Sequence, residues 1–529
     1  MKNRAKPVAI IAISLVLTGC GMPPFVPTLA PYTAAPTPSV SPATPEPTAT
    51  AQIAPDRPTY DPVDVKPDGF TKALSDDMSG YLGQELKWAK CGSFQCADIV
   101  VPLDYDAPGE QGITLSMTKK SATKKPKIGT LFINPGGPGG SGKEYVDGFD
   151  TGGLEQFDIL GWDPRGVGDS TPVVCMDGKK VDAYNALDFS PEDEAERQAL
   201  IDATLAYGKS CWEMNGILLE HISTVETVKD LDLLRQLVGD EKLYYYGASY
   251  GTEIGATYAE LFGPNAARMV LDAAVDISLD KENAPIQAEG FDTALNHFAE
   301  WCGGKSSCSL GKSKDAVLKT ITDFLDRLDS KPIAVGDREL TQTLATLGIG
   351  TTLYMGEDGW DYLDTAVTLA LSGNGEFLLY LGDYLNGRDE QGDYGSLLYG
   401  FNAISCLDYS DEGLAEADRF WERDQQRAPI FGYYFGPGYL CPLWPVRPVP
   451  ELYITGPGAP PIVVIGGIGD NATPYAQAVN MAQQLESGVL LTYEGEGHGA
   501  YGGNSTCIDN AVVKYLVKGT VPKDGTSCS

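Results

Sequence analysis

Gly247, Ala248, Ser249, Tyr250 and Gly251 form a G-x-S-x-G pentapeptide between an apolar, strand-like run over 243–246 and a helix-like run over 252–261. A chain that turns from strand to helix in so few residues leaves room for little but glycine beside the turn. It also pushes the central hydroxyl out above the sheet. In a chain with 61 glycines the pentapeptide alone is weak evidence, and the strand before it and helix after it are what make it read as a nucleophile elbow.

The 529 residues allow one large domain with an insertion, or two or three ordinary domains. A hydrophobic content of 43% with 21% charged residues excludes a disordered chain and a polytopic membrane protein. Lys2, Arg4 and Lys6 precede an apolar run over 8–17 that is too short to span a bilayer, which reads as an export signal. It ends in Leu17, Thr18, Gly19 and Cys20, which resembles the lipobox of bacterial lipoproteins, where the cysteine becomes the lipidated first residue. Two or more acyl chains on Cys20 would give a stable anchor on the outer side of the bacterial cell membrane. The alternative is an ordinary cleaved signal with a chance cysteine.

Lys and Arg number 39 against 72 Asp and Glu, a net charge of −33, so nucleic acid is excluded as a partner. Eleven cysteines less Cys20 leave an even set, suited to pairing in an oxidising compartment. They fall in neighbouring couples: Cys91 with Cys96, Cys175 with Cys211, Cys302 with Cys308, Cys406 with Cys441, and Cys507 with Cys528. Sequential pairing is one connectivity among many that sequence permits. A zinc site is excluded because the spacings are irregular and none of the 3 histidines neighbours a couple.

Residues 21 to about 67 are dense in Pro, Thr and Ala and cannot bury a core, so they read as an extended tether. The folded part is expected from about Tyr81. Runs over 97–103 and 113–119 read as a hairpin, and short apolar runs over 130–134 and 157–162 as buried strands. Ser223 and Glu226 suggest a capping box on a helix running to Leu237, and 267–272 reads as the strand after the elbow helix. Alternation of this kind gives a mostly parallel sheet with helices on both faces. From 277 to 455 the pattern becomes helical, and strands resume at 461–466 and 488–493. The expected division is signal 1–20, tether 21–80, α/β core 81–276 and 456–529, and an inserted helical cap 277–455.

A serine hydroxyl needs a base, and the base needs an orienting acid. Of His221, His297 and His498, only His498 follows a strand near the C-terminus, the place that the order Ser, acid, His requires. Asp470, after the strand at 461–466, is the favoured acid, and Asp272 at the previous strand end is its rival. Oxyanion donors are expected from the N–H of Tyr250 and from the glycine loop 134–142, which has so little side chain that a carbonyl can approach its backbone. Gly137, Gly139 and Gly142 in that loop also spell G-x-G-x-x-G, but Pro135 and Pro138 and an exported location count against a dinucleotide site.

The loop 134–142, the run Gly161-Trp162-Asp163-Pro164-Arg165-Gly166-Val167-Gly168-Asp169-Ser170, the Ser249 elbow, Asp470 with Thr473 and Pro474, and Gly497-His498-Gly499 together resemble the exported tripeptidyl aminopeptidases. These belong to the proline-iminopeptidase branch of α/β-hydrolase serine peptidases, and the resemblance covers roughly residues 91–528. It implies an α/β-hydrolase fold, a triad of Ser249, Asp470 and His498, and an oxyanion hole at Gly137 and Tyr250. It also implies a cap that binds the free amino end of a peptide substrate, with no metal or cofactor. Pro135 departs from the His that iminopeptidases carry before Gly-Gly-Pro-Gly, which favours the tripeptidyl group. Asp163 and Arg165 are expected to pair structurally. Asp408, in the cap beside Cys406, is the candidate ligand for the substrate's ammonium, because a buried ammonium needs a paired carboxylate. An esterase, lipase or acyltransferase on the same scaffold, or a binding lipoprotein, are the rival readings.

Overall fold

Two kinds of strand build the central sheet, and a computed structural model describes them within residues 56–529. In chain order the strands are β1 (Phe70–Lys72), β2 (Ala89–Cys91), β3 (Phe94–Pro102), β4 (Gln111–Lys120), β5 (Gly129–Asn134), β6 (Phe157–Trp162), β7 (Leu243–Ala248) and β8 (Ala266–Asp272). A short hairpin, β9 (Ile333–Val335) and β10 (Arg338–Leu340), lies in the insertion, followed by β11 (Ile462–Gly469), β12 (Gly488–Glu496) and β13 (Thr526–Cys528). The sheet runs β13-β12-β11-β8-β7-β5-β6-β4-β3-β2, with β1 added on β4. From β6 to β13 all neighbours are parallel, whereas β2, β3, β4 and β1 pair antiparallel at one end.

The parallel strands read as unbroken apolar runs because helices cover both faces. Alternate residues divide between the two. Phe132, Tyr245 and Leu271 pack under Val228, Leu231, Ile254 and Tyr258 of helices Thr224–Leu237 and Tyr250–Phe262. Leu131, Ile133, Tyr246 and Val270 pack under Val146 of helix Gly142–Gly148 and Ile508, Val512 and Leu516 of helix Thr506–Lys518. Between β8 and β11 the chain leaves the sheet to build the cap, whose helices close a core of their own around Phe291, Leu295, Phe298, Ile321, Phe324 and Leu344.

Several local expectations change. The Ser223 side chain caps Glu226 N, but the reciprocal half of the box is absent because the Glu226 carboxylate turns to Arg165 at 3.4 Å and His221 at 3.1 Å. Arg165 does not pair with Asp163. It is fully buried and forks onto Asp230 with two bonds of 2.8 Å, while Asp163 accepts from Ser141 Oγ at 2.6 Å and Asp169 N at 2.9 Å. The long helix Glu194–Asn215, with a complete Asp193/Glu196 capping box, escaped the periodicity reading. Residues 56–80, assigned to the tether by composition, lie along the domain. Arg57 donates to the Trp444 and Val446 carbonyls and pairs with Asp411, Trp212 Nε1 donates to the Asp61 carbonyl, and β1 joins the sheet.

All five neighbouring cysteine couples are joined as disulfides. Among the described residues no helix is long and apolar enough to cross a membrane. The export signal, Cys20 and the tether as far as residue 55 lie outside the described residues.

Candidate active site

Each chemistry-bearing loop leaves the carboxyl end of a parallel strand, the side on which α/β sheets bind ligands. Ser249 follows β7 with φ 56° and ψ −128°, a conformation costly for any residue but glycine. The flanking glycines allow it. A Cβ on Gly247 would stand 2.2 Å from the Gly251 carbonyl oxygen, and one on Gly251 would stand 2.8 Å from that of Asn134. Tyr250 then opens the elbow helix, so its N–H belongs to the unpaired first turn, where the helix dipole favours negative charge.

The glycine loop after β5 descends onto this elbow. A Cβ on Gly136 would meet Ser249 Cβ and Tyr250 N, each at 2.9 Å. Gly136 N donates to Asn134 Oδ1 at 2.9 Å and Gly140 N to the Gly136 carbonyl at 3.1 Å, and the Gly137 N–H has no acceptor among the described residues. Gly137 has φ 109°. From above, cap helix Ser396–Asp408 rests on the loop: Ser396 Oγ donates to the Gly139 carbonyl at 3.1 Å, and Leu397 Cδ1 would be 3.5 Å from a Cβ on Gly137.

His498 follows β12 and Asp470 follows β11. His498 Nδ1 lies 2.9 Å and 3.0 Å from the two Asp470 oxygens, while Asp470, 3% exposed, also accepts from Ala472 N at 3.0 Å and Thr473 N at 2.8 Å. Two carboxylate oxygens facing Nδ1 favour the tautomer with its proton there, which leaves the Nε2 lone pair unprotonated. Burial would lower the His498 pKa, but the Asp470 charge and hydrogen bond, with the Asp272 charge behind them, raise it overall. Ser249 Oγ makes no hydrogen bond among the described residues, which leaves it free above the turn.

Asp272, the rival acid, does something else. Its backbone carbonyl accepts Ser249 N at 2.9 Å, and its buried carboxylate accepts Ala500 N at 3.1 Å, Tyr501 N at 2.8 Å and the Tyr246 hydroxyl at 2.8 Å. One residue thus ties the elbow to the histidine loop. No sequence pattern marks such backbone acceptors, though its place at the end of a strand beside the elbow is a usable signal. Tyr354, from cap helix Gln342–Tyr354, also reaches His498 and carried no signal.

His221 pairs with Glu226 at 3.1 Å and His297 with Glu496 at 2.9 Å. Asp408 is held by Thr224. Its oxygens accept Thr224 N at 2.9 Å and 3.1 Å and Thr224 Oγ1 at 2.6 Å, and it lines a cavity with Glu253, Tyr409 and Glu451 that none of Ser249, Asp470 or His498 borders. Thr224 Oγ1 in turn meets the Tyr250 hydroxyl, so Asp408 is tied to the elbow helix through Thr224. Burial pushes the Asp408 carboxyl up to about 7 and, with the charge of Asp408, Glu253 up to about 8.

A sequence model of the family described as TAP-like protein matches residues 428–528. The serine protease Hip1 of Mycobacterium tuberculosis is 34% identical over 482 residues, 84% of this chain and 91% of the relative. A protein named carboxylesterase B from the same species is 32% identical over 484 residues, 85% of this chain and 91% of the relative. The tripeptidyl aminopeptidase of Streptomyces lividans is 28% identical over 477 residues, 84% and 86% of the two chains. Relatedness over this length, on a mostly parallel sheet whose strand ends carry the Ser249 elbow, Asp470 and His498 in that order, has one conclusion: the chain belongs to the TAP-like family of α/β hydrolases and is a serine hydrolase.

Proposed function

We propose that this chain is an exported, lipid-anchored serine peptidase that releases short peptides, tripeptides in the first instance, from free amino ends. The observation that carries the catalytic part is the tie between His498 Nδ1 and Asp470 at 2.9 Å, on a loop that Asp272 fastens to the Ser249 elbow. Ser249 Oγ attacks the scissile carbonyl as its proton passes to His498 Nε2, and the developing oxyanion is received by the N–H groups of Tyr250 and Gly137. Collapse of the tetrahedral intermediate breaks the C–N bond. The departing amine takes the proton from His498 and the acyl group stays on Ser249. Water, deprotonated by His498, then attacks the ester and returns the serine hydroxyl. The names of two relatives, serine protease and tripeptidyl aminopeptidase, support the choice of a peptide substrate. Export and anchoring rest on the basic and apolar residues 2–17 and on Cys20.

Ester hydrolysis is the second reading, favoured by the relative named carboxylesterase B. A free-amine tripeptide p-nitroanilide and its N-acetylated form separate the two: the first should be cleaved and the second refused. Equal cleavage of both, or cleavage of simple esters alone, overturns the aminopeptidase reading. Ser249→Ala should lower kcat by on the order of 10⁴-fold or more without unfolding the chain.

A further inference from the structure

Asn134 closes β5 opposite Gly247 of β7, so it is at once the first residue of the glycine loop and a strand neighbour of the elbow. The residues before it, Leu131, Phe132 and Ile133, are apolar and fully buried, and Asn134 itself is 1% exposed. Its amide oxygen accepts the N–H of Gly136 at 2.9 Å. Gly136 is also the residue that touches the elbow: a Cβ there would stand 2.5 Å from the Ala248 carbonyl oxygen and 2.9 Å from both Ser249 Cβ and Tyr250 N. Asn134 Oδ1 lies close to the elbow on its other side, 3.0 Å from where a Cβ on Gly251 would stand.

Gly136 and Gly137 hold φ 94° and 109°, and neither has a side chain to choose the tilt of its peptide units. Hydrogen bonds at Gly136 make that choice. The unit before it is fixed by Asn134, and the unit after it by Gly140 N, which donates to the Gly136 carbonyl at 3.1 Å. That carbonyl and the Gly137 N–H belong to one planar trans peptide and point in opposite directions, so fixing one aims the other. The second oxyanion donor, Tyr250 N–H, is set by the elbow helix it opens. Only the Gly137 donor depends on a side chain.

The clamp is an amide, at a cost. Asn134 Nδ2 is buried and has no hydrogen-bond partner among the described residues, which is unfavourable for a donor. A carboxylate in the same pose would accept the Gly136 N–H without leaving that donor, but it would set a negative charge three residues from the N–H that receives the oxyanion. We propose that Asn134 is the positioning residue of the oxyanion hole: its neutral oxygen holds the Gly137 N–H in place for the charge that develops beside Ser249. The proposal rests on the serine mechanism and the Gly137 assignment above. Asn134 acts through the loop, so its loss should appear in kcat, where the oxyanion forms, and leave KM unmoved.

The test is hydrolysis of p-nitrophenyl acetate, with inhibition by a small trifluoromethyl ketone, whose hemiketal oxyanion occupies the hole. Asn134→Ser and Asn134→Ala differ by one oxygen, and the serine hydroxyl can still accept the N–H two residues on. The serine variant should keep kcat within about fivefold of wild type, whereas the alanine variant should fall a further tenfold or so, a part of the loss expected when a whole oxyanion donor is removed. KM should stay level, and the ketone's Ki should rise in step with the fall in kcat. Asn134→Asp retains the acceptor and should lose kcat by about tenfold or more once its carboxyl is ionised. Equal kcat in the serine and alanine variants overturns the positioning role. If those two do not fold, wild-type kcat in Asn134→Asp overturns it instead. Ser249→Ala that still turns over the ester overturns the serine mechanism, and the role of Asn134 with it; an inactive Ser249→Ala beside equal serine and alanine variants removes the role of Asn134 alone.

Discussion

Tyr354 grips His498 twice: its carbonyl accepts the His498 N–H at 3.2 Å, and its ring stands edge-on to the imidazole with centroids 5.4 Å apart. A histidine beyond a core strand is therefore held by the last residue of a cap helix. Cap and core share the work of positioning one ring.

The ring contact can be removed without the backbone contact. Edge-on aromatic pairs contribute about 1 kcal/mol beyond their buried area, so Tyr354→Ala should lower kcat about fivefold to tenfold through a less confined imidazole. Tyr354→Phe keeps the edge and should match the wild type. Steady-state kinetics on an activated ester checks this, and an unchanged kcat in Tyr354→Ala would show that Asp470 alone fixes the base.

The pH profile reports the charges round His498. The base works only when neutral, so activity is lost as pH falls through its pKa. That pKa is raised, because the Asp470 charge and hydrogen bond and the Asp272 charge overcome burial. The acid limb of kcat/KM should therefore lie above the ordinary histidine value of about 6.5. Asp272→Asn removes one negative charge and keeps an acceptor for the Tyr501 N–H, so the limb should move to lower pH with kcat within about tenfold of wild type. Asp470→Asn should instead cost on the order of 10⁴ in kcat, since the amide cannot hold the same tautomer. A limb that stays in place in Asp272→Asn would reduce Asp272 to a purely structural clamp.

The elbow and the His498–Asp470 pair were legible because Ser249, Asp470 and His498 each sit just beyond an apolar strand among glycines, and because the order serine, acid, histidine leaves few alternatives among three histidines. What stayed hidden depends on partners remote in sequence. Arg165 finds Asp230, 65 positions away, and Asp408 finds Thr224, 184 positions away, so neither pairing leaves a local pattern. The packing of residues 56–80 rests on isolated contacts such as Arg57 with Asp411, which composition averages away. Tyr354 and Leu397 lie on helices whose periodicity announces a core, and only the folded cap shows that they face the active site instead.

Stability should carry the signature of the acids behind the elbow. Burial raises Asp408 to about 7, and burial with the Asp408 charge raises Glu253 to about 8. Carboxyls raised above their unfolded values bind protons more tightly in the folded state. Their contribution is full below about pH 4 and is lost as pH rises through the folded values. Melting temperature should thus decline between about pH 5 and pH 9, and Glu253→Gln, which removes one of the two charges, should flatten that decline. A slope identical to wild type in Glu253→Gln would mean that the pair is ionised and solvated across the range.

The elbow itself stores strain that a single substitution can release. Ser249 holds φ 56°, where a side chain costs on the order of 1–3 kcal/mol and glycine costs little. Ser249→Ala keeps the Cβ and hence the strain, whereas Ser249→Gly removes both. The glycine variant should be the more stable of the two inactive proteins by about 1 kcal/mol, a shift of about 1–2 °C in Tm for a domain of this size. The greater freedom of glycine in the unfolded chain acts the other way and sets the gain at the lower end of the strain estimate. Gly251→Ala is the converse case: its new Cβ would stand 2.8 Å from the Asn134 carbonyl oxygen, so it should destabilise the fold and abolish fluorophosphonate labelling together. Equal melting temperatures for Ser249→Gly and Ser249→Ala would show that the turn relaxes once the hydroxyl is gone, and that the serine was held by its surroundings rather than against them.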